Sequence, residues 1–436
     1  MAKIIAYKVK IPTFYRIYGA DMDYFALAQA YQTPLYVYDF DRIAHTFNTL
    51  KNAFKARKSL ICYALKANSN LSLIHHLAQL GSGADCVSIG EVRRALRAGV
   101  PKYKIIFSGV GKQDSEISEA LQSDILFLNV ESEQELYRIE SIARDMQIKA
   151  RISVRVNPNI EAKTHPYIST GLSENKFGVD IEQAKAMYIF AKNAPFLEPV
   201  GIHFHIGSQL TDLAPIKQAA QKIAKLAHSL LALKIDLKFF DVGGGIGICY
   251  DDEQIIAPYA YAQAILEALY GLDLTIICEP GRLLVGESGV LLTKVVYEKY
   301  NGEKRFVIVD AAMNDLMRPA LYGATHKIEP LDSINTESSS SARTSSTHTK
   351  ASVCDVVGPI CESGDYLAKG ILLPTLKSGD LLLIKNAGAY GYSMASNYNT
   401  RPRPAEVGVI NGEARLIKRR ESFEEMIKDE ESLLKG

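Results

Sequence analysis

Residues 84–108 read ADCVSIGEVRRALRAGVPKYKIIFS and combine two short apolar runs with an amphipathic segment. The runs at 84–89 and 104–108 have the length and composition of buried β-strands. Between them, IGEVRRALRAG places apolar residues three and four positions apart, which is the period of a helix. The stretch therefore predicts a strand, a covering helix and a second strand, the repeating unit of α/β folds.

The same alternation extends from about residue 35 to residue 285. A second helical segment, ESEQELYRIESIARDM at 131–146, has the same spacing of apolar residues. The strand runs are LICYALK (60–66), ADCVSI (84–89), KIIFS (104–108), DILFLN (124–129), ARISVRV (150–156), VGIHFHI (200–206), LKFFDV (237–242) and LTIICE (274–279). Eight such units in about 250 residues match a (β/α)8 TIM barrel better than an open doubly wound sheet, so we predict a barrel over residues 36–285.

After residue 285 the pattern changes to strands without long helices between them. Asn301-Gly302 and Asn411-Gly412 are dipeptides that favour tight hairpins. We therefore expect a β-rich domain made of residues 286–436 and completed by the N-terminal segment, 1–35. Within it, residues 333–350 (SINTESSSSARTSSTHTK) almost lack apolar side chains, which predicts a disordered loop.

Composition limits the class of partner. The 436 residues carry 50 Lys and Arg against 49 Asp and Glu, a net charge of +1, which gives no reason to expect nucleic acid or an anionic membrane. The N-terminus lacks the apolar core of a signal peptide, and no apolar run approaches the roughly 20 residues that span a bilayer. Six dispersed cysteines without a C-x-x-C pair argue against disulfides. We expect a cytoplasmic protein that acts on a small molecule.

The first strand run ends in Lys66. In a TIM barrel the functional groups gather at the carboxyl ends of the strands. An ammonium group is too costly to bury without a partner, so one interpretation is a lysine that reaches solvent at the barrel rim. The functional interpretation is a lysine that forms a Schiff base.

The sixth run carries two histidines, His203 and His205, which a period of two places on one face of the strand. No third His, Cys or carboxylate stands at a comparable strand end with obvious ligand spacing, so we expect no metal site. Two interpretations stay open for the histidines: hydrogen bonding inside the barrel, and stacking of one imidazole on a flat cofactor.

The seventh run leads directly into residues 241–247, DVGGGIG. Consecutive glycines let the backbone approach a ligand and direct N–H groups at it, which favours a phosphate. The dinucleotide fingerprint G-x-G-x-x-G is not met from Gly243, because position 248 is isoleucine. TIM barrels often bind phosphate near strands seven and eight, so the location favours a phosphate site over a simple tight turn.

The eighth run ends in residues 278–282, CEPGR. A carboxylate beside a phosphate-binding loop is a poor neighbour for the phosphate but a good one for a cationic ring nitrogen. A simple ion pair between Glu279 and Arg282 is the alternative.

In their order along the chain, these segments resemble the fold type III, or alanine racemase-like, pyridoxal-phosphate-dependent decarboxylases over residues 33–410. Within that group they most resemble the diaminopimelate decarboxylase family. The resemblance implies that Lys66 forms a Schiff base with pyridoxal 5′-phosphate, that His205 stacks on the pyridine ring and that Glu279 faces the pyridine nitrogen. The cofactor-binding residues that it implies are Lys66, His205, Ser208, Gly243, Gly244, Gly245, Glu279, Gly281, Arg282 and Tyr390.

The same resemblance implies the reaction: decarboxylation of meso-2,6-diaminopimelate to L-lysine and CO2, the last step of lysine synthesis by this route. The motifs MRPALY (317–322) and GPICESGD (358–365) match the family closely. The implied substrate-binding residues are Arg282, Arg318 and Tyr322 for the distal carboxylate, Glu362 for the distal ammonium, and Tyr390. Without the family, Arg318 and Glu362 could be ordinary surface charges.

Cys361 resembles the cysteine that protonates the substrate carbon after CO2 has left. The alternative is a small buried hydrophobe, which is what we expect of Cys62, Cys86 and Cys278. In the family this loop enters the active site of the neighbouring subunit. The resemblance therefore implies a homodimer with shared active sites.

Three rival functions are weighed against the decarboxylase. Similar racemases have an arginine facing the ring nitrogen, so Glu279 argues against a racemase. A catalytically silent regulator on the same fold would be free to lose Lys66, Glu279 or Cys361, and all three are present. The third rival is an ornithine or arginine decarboxylase, which a product assay would distinguish; ornithine-type relatives usually show Cys-Asp where this chain has CESGD.

Overall fold

A computed structural model describes residues 9–10, 16–17, 20–161, 175–331 and 351–434. The chain divides into two compact units, one formed by Ile43–Val285 and the other by the residues up to Arg42 with those from Gly286 onward. The boundary lies at 42/43 rather than at the predicted 35/36, because the strand at residues 35–39 pairs inside the second unit. The predicted loop 333–350 lies outside the described residues.

The first unit is a closed parallel barrel, and it confirms the predicted (β/α)8 fold. The elements before it are β1 Val9–Lys10, β2 Arg16–Ile17, β3 Ala20–Asp21, α1 Tyr24–Tyr31, β4 Leu35–Asp39 and α2 Phe40–Ala53. The barrel strands are β5 Ser59–Ala64, β6 Gly83–Cys86, β7 Ile105–Phe107, β8 Phe127–Val130, β9 Ala150–Arg155, β10 Leu197–His203, β11 Phe239–Asp241 and β12 Thr275–Cys278. Each strand pairs in parallel with its neighbour along the chain, and β12 closes the barrel on β5.

Helices cover the barrel, and their starts follow ordinary capping chemistry. They are α3 Leu71–Gln79, α4 Ile89–Arg97, α5 Asp114–Gln122, α6 Glu133–Asp145, α7 Ile181–Asn193, α8 Leu213–Ala232, α9 Pro258–Ala268 and α10 Arg282–Val285. The hydroxyls of Ser88 and Ser132 accept hydrogen bonds from N–H groups of α4 and α6, which satisfies donors that a helix start leaves unpaired. Among the described helices, none is both long and apolar enough to cross a membrane.

The second unit is built on a mixed β-sheet. Its remaining strands are β13 Gly289–Asn301, β14 Lys304–Val309, β15 Ile328–Pro330, β16 Ser352–Val357, β17 Tyr366–Leu373, β18 Leu381–Ile384, β19 Ala405–Ile410 and β20 Glu413–Lys418, and its helices are α11 Arg318–Tyr322 and α12 Phe423–Leu434. Strand β4 lies between β19 and β13, and β1 pairs with β20. The N-terminal segment thus completes the β-rich domain, as predicted.

Both predicted hairpins are present. Gly302 and Glu303 connect the antiparallel strands β13 and β14, and Asn301 ends β13 paired with Lys304, so this turn lies one residue later than the Asn-Gly dipeptide. Asn411 and Gly412, between β19 and β20, both have positive φ angles, 50° and 74°. This is the backbone of a type I′ turn, whose twist matches that of the paired strands.

Candidate active site

The candidate site begins where Lys66 meets Asp85 at the carboxyl ends of β5 and β6. Lys66 follows β5 in one turn of 3-10 helix, Leu65–Ala67, and its Nζ lies 3.0 Å from Oδ2 of Asp85. The Asp85 side chain is fully buried, whereas the Lys66 side chain keeps 40% of its exposure. Lys66 is therefore held by a buried carboxylate, unlike a lysine that merely extends into solvent, and its side chain is still accessible.

Glu279, Asp241 and His203 come from the ends of three consecutive strands and meet inside the barrel. One nitrogen or oxygen atom from each lies within 4.8 Å of the other two, and Oε2 of Glu279 is 3.3 Å from Nε2 of His203. All three residues are buried. The sequence argument that no third ligand-type residue accompanies the histidines was wrong, because it did not bring Asp241 and Glu279 to His203.

The carboxyl groups of Asp241 and Glu279 differ in protonation state. Burial, followed by the charge of Glu279, raises the pKa of Asp241 well above its usual value. Burial alone would raise the pKa of Glu279 too, but His203 and then Lys66 lower it. The cluster therefore holds a proton on Asp241 and a negative charge on Glu279.

The glycine loop after β11 is shaped by close packing. A Cβ atom on Gly244 would lie 2.0 Å from the carbonyl oxygen of Glu279, and Gly243 and Gly245 have φ angles of +64° and +110°. The N–H of Gly243 donates to Oδ1 of Asp241 at 2.9 Å. The N–H of Gly244 donates to Nδ1 of His205 at 3.3 Å. The sequence suggested that the N–H groups of this loop point at a phosphate. Those of Gly243 and Gly244 instead position the side chains of Asp241 and His205.

His205 carries a neutral ring. Burial, followed by the charges of Arg155 and Lys66, lowers the pKa of His205 well below its usual value. Because Nδ1 accepts a hydrogen bond from Gly244, the ring hydrogen of neutral His205 resides on Nε2. A neutral imidazole that the backbone holds in place suits stacking on a flat ring.

Arg282 is buried after β12 and is tied to two hydroxyl groups. Its Nη1 donates to Oη of Tyr250 at 2.6 Å, and its Nη2 donates to Oγ of Ser208 at 3.0 Å. Glu279 has its ion-pair partner in His203, so the two residues of the CEPGR motif each contact other side chains.

An ion pair that the sequence analysis missed spans the neighbouring strands. Arg155, the last residue of β9, places Nη1 at 3.0 Å from Oε1 of Glu131, and both side chains are nearly buried. Glu131 also accepts hydrogen bonds from the N–H groups of Gly109 and Gly178. A charged residue in or just after an apolar barrel strand drew attention to Lys66, and the same signal would have found Asp85, Arg155 and Asp241.

In the β-rich unit, Arg318 is not a surface charge. It begins α11 with only 7% of its surface exposed. Its Nη1 lies 2.9 Å from Nε2 of His326, and Nδ1 of His326 lies 2.8 Å from the carbonyl oxygen of Lys385. Tyr322 closes the same short helix and is half-buried.

Cys361 and Glu362 lie on an exposed loop of the same unit. The N–H of Cys361 donates to Oδ1 of Asn399 at 2.9 Å, and Oε2 of Glu362 accepts from Oη of Tyr398 at 2.8 Å. Buried Asp365 anchors the loop by accepting from the N–H groups of Met313 and Ile360, each at 2.7 Å. Cys361 is therefore not a buried hydrophobe, whereas Cys62, Cys86 and Cys278 are buried as expected.

Tyr390 has a φ angle of +57°. Residues other than glycine seldom adopt this left-handed conformation, and it recurs at functional sites. Tyr390 ends the segment Ala387-Gly388-Ala389-Tyr390, which follows β18 and is otherwise buried. The backbone here fixes the direction of a half-buried phenol.

The barrel groups fit pyridoxal phosphate on their own chemistry. Oε1 of Glu279 is buried and has no hydrogen-bond partner within the described part of the chain, and it is the oxygen of an ionised carboxylate. The proton on Asp241 can serve only one of the two carboxylate oxygens, so the other still requires a hydrogen-bond donor or a cation. A protonated pyridine nitrogen provides one, and the accessible amine of Lys66 provides the attachment point.

A closed barrel with a lysine and a buried glutamate at its mouth defines the class of the pyridoxal-dependent decarboxylases of this fold. The family model described as "Pyridoxal-dependent decarboxylase, pyridoxal binding domain" matches residues 40–286. More narrowly, the chain belongs to the diaminopimelate decarboxylase family. It is 58% identical to the Helicobacter pylori enzyme of that name over 95% of this chain and 99% of the relative, and 57% identical to that of Campylobacter jejuni over 95% and 100%.

Solved structures agree with this assignment. The crystal structure of diaminopimelate decarboxylase from Helicobacter pylori complexed with L-lysine matches with a TM-score of 0.89 at 58% identity, over 94% of this chain and 100% of that one. A lysine/ornithine decarboxylase from Vibrio vulnificus, complexed with cadaverine, matches with a TM-score of 0.76 at 23% identity, over 89% and 96%. The second likeness concerns the fold alone.

Proposed function

We propose that this chain decarboxylates meso-2,6-diaminopimelate to L-lysine and CO2 with bound pyridoxal 5′-phosphate, as the last step of lysine synthesis by that route. The observation that carries the proposal is the barrel mouth, where an accessible lysine and a buried, ionised glutamate occur together in a member of this family. The cofactor, when bound, supplies a sink for the electron pair that remains as CO2 leaves.

The barrel residues hold and tune the cofactor. Lys66 would be its covalent attachment point, and His205 would stack on the ring. Glu279 would pair with the ring nitrogen and keep it protonated, because the lowered pKa keeps this carboxylate ionised at neutral pH. The residues that would hold the phosphate region are Ser208, Gly243, Gly244, Gly245, Gly281 and Arg282, and Tyr390 would be a further contact of the cofactor.

Substrate recognition requires opposite charges at the distal end. Diaminopimelate keeps an ammonium and a carboxylate there, whereas ornithine keeps an ammonium alone. Arg318 supplies a planar fork that can pair with both oxygens of the carboxylate, with Arg282 and Tyr322 assisting. Glu362 receives the ammonium, and Tyr390 contacts the substrate.

The proton that replaces CO2 comes from Cys361. Its Sγ–H donates to the carbon from which CO2 has departed. The protein acts as a cytoplasmic homodimer in which the exposed Cys361 loop of one subunit serves the active site of the other. That arrangement accounts for the exposure of Cys361 and Glu362 in the single chain.

A product assay tests the proposal. Purified protein with pyridoxal phosphate is given meso-diaminopimelate, L-ornithine or L-arginine, and lysine, polyamines and CO2 are measured. We expect lysine and CO2 in equal amounts from the first substrate alone. Faster release of putrescine or agmatine from the other two would reject diaminopimelate as the substrate.

A further inference from the structure

The guanidinium group of Arg318 is oriented by a specific neighbour. A buried arginine is stable only when its donors are used, and one donor, Nη1–H, points at Nε2 of His326 over 2.9 Å. His326 is itself 2% exposed. A histidine at this depth beside a cation must offer a lone pair rather than a second N–H.

The other ring nitrogen fixes the tautomer that makes this possible. Nδ1 of His326 lies 2.8 Å from the carbonyl oxygen of Lys385, and a carbonyl oxygen only accepts. Nδ1 therefore carries the hydrogen, and Nε2 of the neutral ring accepts from Arg318. The chain of hydrogen bonds runs in one direction, from Arg318 through His326 to the backbone of Lys385.

The backbone holds His326 in place from two sides. The N–H of Lys385 donates to the carbonyl oxygen of Lys327 at 2.9 Å, which extends the pairing of β15 with β18 up to the histidine. Between α11 and β15, Gly323 has a φ angle of +61° and ends the helix in the left-handed conformation. That turn brings His326 back to the residue that begins the helix.

We propose that His326 is a specificity-determining positioning residue, which holds Arg318 in the orientation that receives the distal carboxylate of the substrate. The inference rests on the proposed function. Because the guanidinium group is planar, a hydrogen bond that fixes one of its N–H groups also fixes the plane in which the others lie. Because L-lysine keeps the unreacted carboxylate and cadaverine lacks it, the two ligands separate recognition of the carboxylate from every other contact.

The test compares two substitutions of His326 in the holoenzyme. In His326→Gln, the amide oxygen takes the place of Nε2 and still accepts from Arg318. In His326→Asn, the amide nitrogen takes the place of Nδ1 and still donates to Lys385, but the acceptor for Arg318 is gone. His75→Asn is the matched control, since Nδ1 of His75 also lies 2.9 Å from a backbone carbonyl, that of Ala98 in the barrel.

Calorimetry of the loaded enzyme measures the dissociation constants of L-lysine and cadaverine. We expect His326→Asn to raise the dissociation constant of L-lysine about tenfold, the size of one lost hydrogen bond. The dissociation constant of cadaverine should stay unchanged. His326→Gln should stay within about threefold of wild type, and His75→Asn should leave the ratio of the two constants unaltered. Equal weakening of both ligands by His326→Asn, or a Gln variant as selective as the Asn variant, would overturn the proposal.

A crystal structure of the wild-type holoenzyme with L-lysine decides the matter even if the Asn variant does not fold. We expect Arg318 to contact the lysine carboxylate and His326 at once. A structure in which Arg318 leaves His326, or contacts no carboxylate, refutes the inference. Absence of lysine formation by wild-type enzyme would instead refute the proposed function.

Discussion

The barrel mouth and the Cys361 loop handle their chemical groups in opposite ways. In the barrel, Asp85, Asp241 and Glu279 are buried, and their neighbours set which of them carries a charge. On the loop, Cys361 and Glu362 are exposed. A single chain thus buries the carboxyl groups around Lys66 and leaves open to solvent the groups that we assign to proton delivery and ammonium recognition.

The largest effect that would sharpen this contrast is expected at Lys66. Lys66→Ala should lower decarboxylation on the order of 10³-fold or more, because the attachment point is lost. Lys66→Arg is the matched control: it keeps a cation beside Asp85 but cannot attach the cofactor, so it should be folded and equally inactive. Borohydride reduction of the wild type, followed by peptide mapping, should find the cofactor on Lys66, and an adduct on another lysine would refute the assignment.

A smaller effect is expected in the β-rich unit, at Arg318. Arg318→Met should lower kcat/KM for meso-diaminopimelate roughly 10- to 100-fold, as expected for loss of a charge-assisted pair of about 1.5–3 kcal/mol. Arg305→Met is the control, because Arg305 is as deeply buried in the same unit but pairs with Glu298. The control should lose thermal stability and keep its selectivity. An unchanged kcat/KM in folded, cofactor-loaded Arg318→Met would remove Arg318 from the site.

The smallest effect concerns the proton on Asp241. The folded-state pKa of Asp241 is raised, so the native state keeps a proton that the unfolded state releases above about pH 4. The wild type should therefore lose up to about 1.4 kcal/mol of unfolding free energy per pH unit as the pH rises from about 4 towards the raised pKa of Asp241. Asp241→Asn keeps an acceptor for Gly243 and a donor, but it cannot titrate.

Unfolding in denaturant from pH 5 to pH 8 checks this prediction. The stability of Asp241→Asn relative to wild type should grow as the pH rises. Asp114→Asn serves as the control, because Arg138 lowers the pKa of exposed Asp114 and its contribution is lost only as the pH falls. A constant difference between Asp241→Asn and wild type would mean that Asp241 holds no proton in the folded protein.

The sequence predicted the barrel because periodicity and strand length are local properties. All eight predicted runs overlap a barrel strand, although the ends shift by a few residues: β5 ends at Ala64, before Lys66, and β10 begins at Leu197 and ends at His203. The hairpin at Asn411-Gly412 was predictable for the same reason, since its backbone angles depend on the dipeptide itself. The hairpin near Asn301 was predicted in the right place, but its turn is shifted by one residue to Gly302 and Glu303. Strand β4 could not be assigned to the β-rich unit from the sequence, because its pairing with β13 and β19 depends on residues about 250 and 370 positions away.

In the candidate site, too, features that depend on local sequence could be predicted and features that depend on distant residues could not. The candidate lysine, glycine loop and glutamate could be named because each stands at a strand end within a recognisable motif. Three other features could not be predicted from the sequence: the pairing of Asp85 with Lys66, the proton on Asp241, and the hydrogen bond from Arg318 to His326. Each depends on which side chains the closed fold brings within about 3–5 Å, and no spacing along the chain encodes that distance.

The central claim, that the shielded barrel of one subunit works with the exposed loop of another, is tested most directly by mixing two inactive variants. Lys66→Ala and Cys361→Ala homodimers each lack an intact site. After mild dissociation and confirmed exchange of subunits, half of the dimers should be mixed, each with one sound site, so activity should return to about a quarter of wild type. If both residues served a site from the same subunit, every site would carry a lesion, and no gain over either parent would contradict the account.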